Sequence, residues 1–288
     1  LGYPGYYDNI GDMANKGVEL ELNYIPVNKK NFTWKINLNL THYKNKITYL
    51  PDEKKTTVMD GHGGYMNGSR YYGEDLPINT WYMKRFAGLS EDGLSLWYYT
   101  DKETNEEKTT TTYSTGDFYL CGDPNPDLYG GFGTSITFHG FDLSTQFSYL
   151  VGGLTYDYGY AGMMGNPTAT SVGNRWHKDV LKAWSPENPS STIPRWHFND
   201  LNTTGSSDRF LIDGSYLNLQ NIQVGYTLPD SWTSHLKIKN LRLYFVCDNV
   251  YYWSKRKGLD PRRSISGVGT SGKIAPFRTY SGGISLQF

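Results

Sequence analysis

The sequence predicts an all-β fold, an antiparallel transmembrane β-barrel, and three observations predict it. Apolar and polar residues alternate over stretches of about ten residues, the length at which a strand spans a bilayer. The composition is rich in strand and turn formers, with 25 Tyr, 12 Phe, 8 Trp and 32 Gly, and mean hydropathy is -0.59. Short and long connections between the alternating stretches follow one another strictly. An ordinary helical protein would carry more Ala and Leu at a period near four.

The elements follow in order. Val18, Leu20, Leu22 and Tyr24 share one face while Glu19, Glu21 and Asn23 take the other, which is period two. After the polar turn at 28–31, Phe32, Trp34, Ile36, Leu38 and Leu40 alternate with Thr33, Lys35, Asn37, Asn39 and Thr41. Strands are expected near 78–89 and 93–100, joined by Ser90-Glu91-Asp92-Gly93. Leu128 to Phe138 continues the pattern, and beyond His139-Gly140 Phe141, Leu143, Phe147, Tyr149 and Val151 oppose Asp142, Ser144, Gln146 and Ser148. Ile222 to Leu228, Leu241 to Cys247 and Tyr280 to Phe288 give the last three strands, which makes nine.

The links near 28–31, 90–93, 139–140 and 229–237 are short, and those near 48–77, 101–127, 153–214 and 253–277 are long. A membrane barrel has short periplasmic turns and long extracellular loops. The rhythm therefore puts the C-terminus at the periplasmic end. Aromatic residues near strand ends (Phe32, Trp34, Phe141, Tyr226) suit an interfacial girdle, and the small polar opposing face suits a wet lumen. Bacterial single-chain barrels have even strand numbers, so nine strands are expected to be part of a larger barrel. The opening Leu1-Gly2-Tyr3-Pro4-Gly5, loop-like and without an initiator Met, agrees with that expectation.

Charge and cysteine content exclude other classes. Lys+Arg 28 balances Asp+Glu 28, which provides no field for nucleic acid. Cys121 and Cys247 make no disulfide framework and share no metal-ligand spacing with the six histidines, so both are expected to be unpaired. The sequence holds no Gly-x-Ser-x-Gly elbow, no His-Glu-x-x-His and no phosphate loop, and Glu106-Glu107 sits in a polar Thr-rich run that offers no rigid support for a carboxylate pair. No enzyme, cofactor or metal site is predicted.

Asn15-Lys16-Gly17-Val18-Glu19-Leu20, Phe32-Thr33-Trp34, Asp208-Arg209-Phe210, Gly214-Ser215-Tyr216-Leu217, Gly225-Tyr226-Thr227-Leu228-Pro229, Leu241-Arg242-Leu243-Tyr244, Asp248-Asn249 and Gly258-Leu259-Asp260-Pro261 occur in this order and spacing, and the chain ends Ser281-Gly282-Gly283-Ile284-Ser285-Leu286-Gln287-Phe288. In these features residues 1–288 resemble the C-terminal barrel segment of SusC/RagA-family TonB-linked outer-membrane transporters. The resemblance implies a plugged barrel of about 22 strands in a Gram-negative outer membrane, with the plug domain outside this chain. It also implies uptake of an oligosaccharide more than of a peptide, a SusD-like surface lipoprotein as lid, and energy from the TonB complex reaching the barrel through the N-terminal part. Asp248-Asn249 departs from the family's commoner Gln-Asn pair. A secreted β-rich carbohydrate-binding module is the alternative reading, and a β-rich glycoside hydrolase a third.

The candidate substrate-binding residues lie in the long loops. Trp176, Trp184 and Trp196, with Arg175 and His177, offer aromatic faces for sugar C–H groups beside polar groups for hydroxyls, and Tyr71 and Tyr72 offer the same beside Glu74 and Asp75. Against this, tryptophans in a long loop also fill the loop's own core. Arg262 is expected on solvated loop surface, Asp208 in a salt bridge with Arg209, and Glu19, Glu21, Lys35 and Arg242 as ordinary lumen lining.

Overall fold

The computed structural model describes residues 9, 11–168, 175–200, 205–263, 266–268 and 276–288. The chain starts with β1 (Asp12–Lys29) and β2 (Phe32–Tyr49). A first excursion carries β3 (Thr57–Met59), β4 (His62–Asn67), β5 (Arg70–Gly73), β6 (Thr80–Lys84), β7 (Phe86–Leu89), β8 (Ser95–Thr100), β9 (Glu107–Thr110) and β10 (Phe118–Leu120). β11 (Leu128–Phe138) and β12 (Phe141–Val151) follow, then a second excursion with β13 (Leu154–Tyr156), the short helix α1 (Tyr158–Met163) and β14 (Leu211–Asp213). β15 (Tyr216–Thr227), the one-turn helix α2 (Asp230–Thr233), β16 (Asn240–Ser254) and β17 (Thr279–Gln287) end the chain.

One antiparallel seven-stranded sheet, in the order β1-β2-β11-β12-β15-β16-β17, forms a wall. Its register explains the alternation residue by residue: Leu20 faces Leu40, Leu22 faces Leu38, Phe132 faces Leu38 and Phe147, and Leu243 faces Tyr226 and Ile284. These side chains stand on the outer surface, where Val18 and Ile284 are each 66% exposed and Phe288 is 74% exposed. A water-soluble sheet would cover such a face, because contiguous apolar surface of this extent is otherwise a membrane or partner contact. Aromatic pairs edge it at both ends, Phe32–Phe138 and Phe141–Tyr226 near the short turns and Tyr251–Trp253 near the long loops, with ring centroids 6.2, 4.3 and 4.8 Å apart. Among the described residues no helix is long and apolar enough to cross a membrane.

The inner face is polar and bonded across strands. Asn37 donates to Gln146 at 3.4 Å, the Gly131 amide donates to Asn39 at 2.8 Å, and Asn221 donates to Asp248 at 2.6 Å. Arg242 donates through Nε and Nη2 to the two carboxylate oxygens of Asp142 at 2.9 and 2.6 Å, a pairing that spans three strands over Gly225. A Cβ at Gly225 would stand 2.5 Å from both partners, so glycine in the Gly225-Tyr226-Thr227 run makes room for the ion pair.

The connections at 30–31, 139–140 and 228–239 are the short ones and lie at one end of the wall; the three excursions leave from the other. The strands expected near 78–89 and 93–100 exist as β6 to β8, but not in the wall. They belong to two small sheets of the first excursion, ordered β10-β6-β5-β4-β3 and β7-β8-β9. The turn at 90–93 is therefore on the loop side, and residues 50–127 form a single long excursion. Alternation was read correctly there; a loop sheet with one packed face has the same period as a membrane strand.

Candidate functional site

The first two excursions fold together because each supplies part of one apolar cluster: Trp81 and Met83 from β6, Tyr156 from β13, Met164 beyond α1, and Phe210, packed with Cys121, Leu154 and Ile193. Trp81 is fully buried, and its indole N–H donates to the Leu154 carbonyl at 3.2 Å. The Arg70 guanidinium lies 3.1 Å from the Trp81 ring centroid and donates to the carbonyls of Asn79 at 2.5 Å and of Ser266, which brings the third excursion in. Burial lowers the Arg70 pKa to about 10. Gly267, at φ +70°, accepts from the Tyr156 amide at 2.7 Å, and a Cβ there would meet the Leu154 carbonyl at 2.4 Å. Only glycine fits that close approach.

On this base the predicted residues fall into three places. Trp176 and Trp196 meet edge to face with centroids 5.4 Å apart; Trp196 is 41% exposed and donates to the Gly165 carbonyl at 3.3 Å. His177 joins them in the chain and is fixed, its Nδ1 accepting from the Asp179 amide at 3.2 Å and its ring against Tyr160 at 4.9 Å. Arg175 is exposed beside them. Trp184 serves another contact: its ring covers Gly93 of the 90–93 turn, where φ is +73° and a Cβ would lie 2.3 Å from the indole. Tyr71 is fully buried and its hydroxyl donates toward the carbonyls of Thr57 and His62, each at 2.8 Å, so its side chain serves packing. Tyr72 is half-buried, stacked on Tyr65 at 5.2 Å, and donates to Asn79 at 3.1 Å.

Two further expectations are corrected. Asp208 accepts the Phe86 amide at 2.8 Å instead of pairing with Arg209, whose guanidinium lies against the rings of Phe86 and Phe210 at 5.2 and 5.1 Å. Burial lowers the Arg209 pKa to about 10 and raises that of Asp208. Arg262 is not solvated: it donates to both oxygens of Asp260 at 2.8 and 2.7 Å and to Asn218 of the wall at 2.6 Å, over the Tyr252 ring.

The structure adds a site that the sequence concealed. Where the excursions meet the top of β1 and β2 lies a cavity of about 820 Å³, lined by Asn15, Thr41, Tyr43, Asn45, Asn79, Asn125 and Tyr129 among others. Tyr43 and Tyr129 meet edge to face at 6.1 Å, and Asn45 braces the rim by donating to Asn15 and accepting the Ile78 amide, both at 2.7 Å. None of these residues stands out in sequence as a binding residue; the parity that puts Asn15, Thr41, Tyr43 and Asn45 on the inner face is their one visible signal. The arrangement suits hydrogen bonding and ring contacts to a neutral polar molecule.

Comparison with known proteins agrees with the geometry. TonB-dependent receptor P3 of Formosa agariphila is 28% identical over 317 residues, covering 100% of this chain and 30% of the relative. TonB-dependent receptor SusC of Bacteroides thetaiotaomicron is 26% identical over 291 residues, covering 97% of this chain and 27% of the relative. The chain is a homologue of TonB-dependent receptors, SusC among them. These relatives are receptors, not enzymes, and outer-membrane proteins of Gram-negative bacteria, a setting consistent with the outer apolar face. Structures of the RagAB peptide transporter, and of the RagAB peptide importer in its open-open state, superpose with TM-scores of 0.81 and 0.78 at 24% and 25% identity. They match 98% of this chain and 30% and 29% of the solved chains. The chain thus spans about three-tenths of the length of the TonB-dependent receptors it matches. No family model matches.

Proposed function

We propose that residues 1–288 are the C-terminal barrel share of a TonB-energised importer in which they form part of the wall and the ligand-contacting loops, and that its cargo is an oligosaccharide. The observation that carries the reading is the cavity at the lumen mouth, lined by the amides, hydroxyls and phenols of Asn15, Asn45, Asn79, Asn125, Thr41 and Tyr43 among others, with one charge of each sign, Lys16 and Glu19. Such a lining matches a ligand with many hydroxyls and no net charge, since a buried polar group needs a partner and a charge needs a counter-charge. The Trp176–Trp196 pair of the second excursion adds aromatic surface of the kind that stacks on sugar rings. In this reading a SusD-like lipoprotein covers the loops from outside, and TonB acts through the N-terminal part of the receptor.

A peptide cargo is the second reading, favoured by the likeness to the solved RagAB peptide importer. Full-length receptor, purified from outer membranes, separates the two when offered neutral oligosaccharides and a mixed peptide digest as competing ligands. Retention of the oligosaccharides is expected, with affinity falling at least tenfold, about 1.4 kcal/mol, in Tyr43→Ala and Trp176→Ala variants. Retention of peptides alone would sink the glycan reading. Wild-type uptake in cells lacking the receptor would sink import altogether.

A further inference from the structure

The outer face of the wall changes character at its loop end. On β2 the outward residues run Phe32, Trp34, Ile36, Leu38, Leu40 and then His42, Lys44 and Lys46; on β1 Leu20 and Val18 give way to Lys16. Register pairs Lys16 directly with Lys44, both exposed. Like charges directly opposite on one sheet face repel and call for an anion. Lys46 has one, Asp75, and the His42 ring lies 2.6 Å from the Asp127 carbonyl, whereas neither Lys16 nor Lys44 has an ion-pair partner among the described residues.

Height decides what meets them. Leu40 stands eight residues beyond Phe32, about 26 Å along the strand, which a tilt of about 40° turns into about 20 Å of apolar height. Lys44 stands twelve residues beyond Phe32, about 30 Å up by the same arithmetic, just outside an apolar band of about 25 Å. That is the level of lipid headgroups, on the side from which the long loops leave. We propose that Lys16 and Lys44 form a lipid-facing site for the sugar-linked phosphate of an outer-leaflet glycolipid. Charge complementarity selects the phosphate, and the outward parity that both lysines share with Val18, Leu20 and Leu40 selects a lipid over a soluble anion, although Lys16 also borders the cavity mouth. The proposal rests on the orientation of the barrel and not on its cargo.

Full-length receptor in detergent, incubated with diphosphoryl lipid A and examined by native mass spectrometry, provides the test. Wild type is expected to retain lipid A, and retention to fall about fivefold for each lysine removed in Lys16→Gln and Lys44→Gln. The Lys16→Arg, Lys44→Arg double variant is expected to retain it. Chemically dephosphorylated lipid A serves as a second arm on wild type alone and holds even if the Gln variants fail to assemble; its retention should drop to the variant level. Equal retention by wild type and the glutamine variants would overturn the site, as would undiminished retention of the dephosphorylated lipid. Inorganic phosphate displacing lipid A at low micromolar concentration would also overturn it, by making it a site for free anions.

Discussion

Burial pushes the Cys121 thiol up to about 11, with the nearby Asp208 carboxylate adding to the shift. The thiolate is the reactive form, and at pH 8 about one molecule in a thousand holds it, on the order of a hundredfold or more below an ordinary thiol of pKa about 8.5. The labelling rate of Cys121 by iodoacetamide should accordingly be about a hundredfold below that of a free thiol at pH 8 and should climb with pH up to about 11. A rate at pH 8 equal to that of a model thiol would show that the loop cluster around Trp81 is open in solution. The same cluster shows what single residues disclose in sequence. Trp81 and Tyr71 are as polar-tipped and loop-borne as Trp176 and Tyr72, yet both are fully buried, Trp81 because strands far apart in sequence converge on it and Tyr71 inside the small sheet of its own excursion. Residue type alone does not carry that distinction; it depends on contacts between the excursions, Arg70 to Ser266 for one.

At the scale of elements, the seven wall strands were legible because a membrane strand is written in its own alternation, whatever it pairs with. β1 makes the sharpest test. Leu22 sits on the outer face opposite Leu38, near the middle of the apolar band, and Asn23 points to the other side opposite Asn37. Leu22→Arg in the full-length receptor should cost about 2–4 kcal/mol of barrel stability, the value for a charge at the bilayer midplane, and Asn23→Arg under about 1 kcal/mol. Urea unfolding in lipid, read by heat-modifiable mobility, measures both. Equal costs would mean that the sheet has no distinct lipid face. The loop strands β6 to β8 were legible as strands but not as loop strands. Their neighbours in the sheet, β5 and β10 for β6 and β9 for β8, are too short to alternate visibly, so nothing local separated them from the wall.

For the whole molecule, the rhythm of the connections carried the fold, and it fails at one point for a physical reason. Two short strands with a tight turn between them occur wherever a long loop folds on itself, so the turn at 90–93 imitated a periplasmic turn while its Gly93 packs under Trp184 of another excursion. The lumen cavity was hidden for the opposite reason, since its parts lie on β1, β2 and β11 and on the excursions, and none is distinctive alone. Sidedness then follows from which connections are long. Lys102 lies exposed in the first excursion, and Lys30 in the turn between β1 and β2 at the other end of the wall. In cells expressing the full-length receptor, a membrane-impermeant maleimide should label Lys102→Cys without any treatment. Lys30→Cys should label only after the outer membrane is permeabilised, because reagent outside the cell cannot reach the periplasmic face. The native thiols give little background, Cys121 being half-buried among loops with its pKa raised and Cys247 being buried on the apolar outer face. Labelling of both positions in intact cells would break the barrel topology; the reverse pattern would invert it and move the proposed glycolipid site to the inner leaflet.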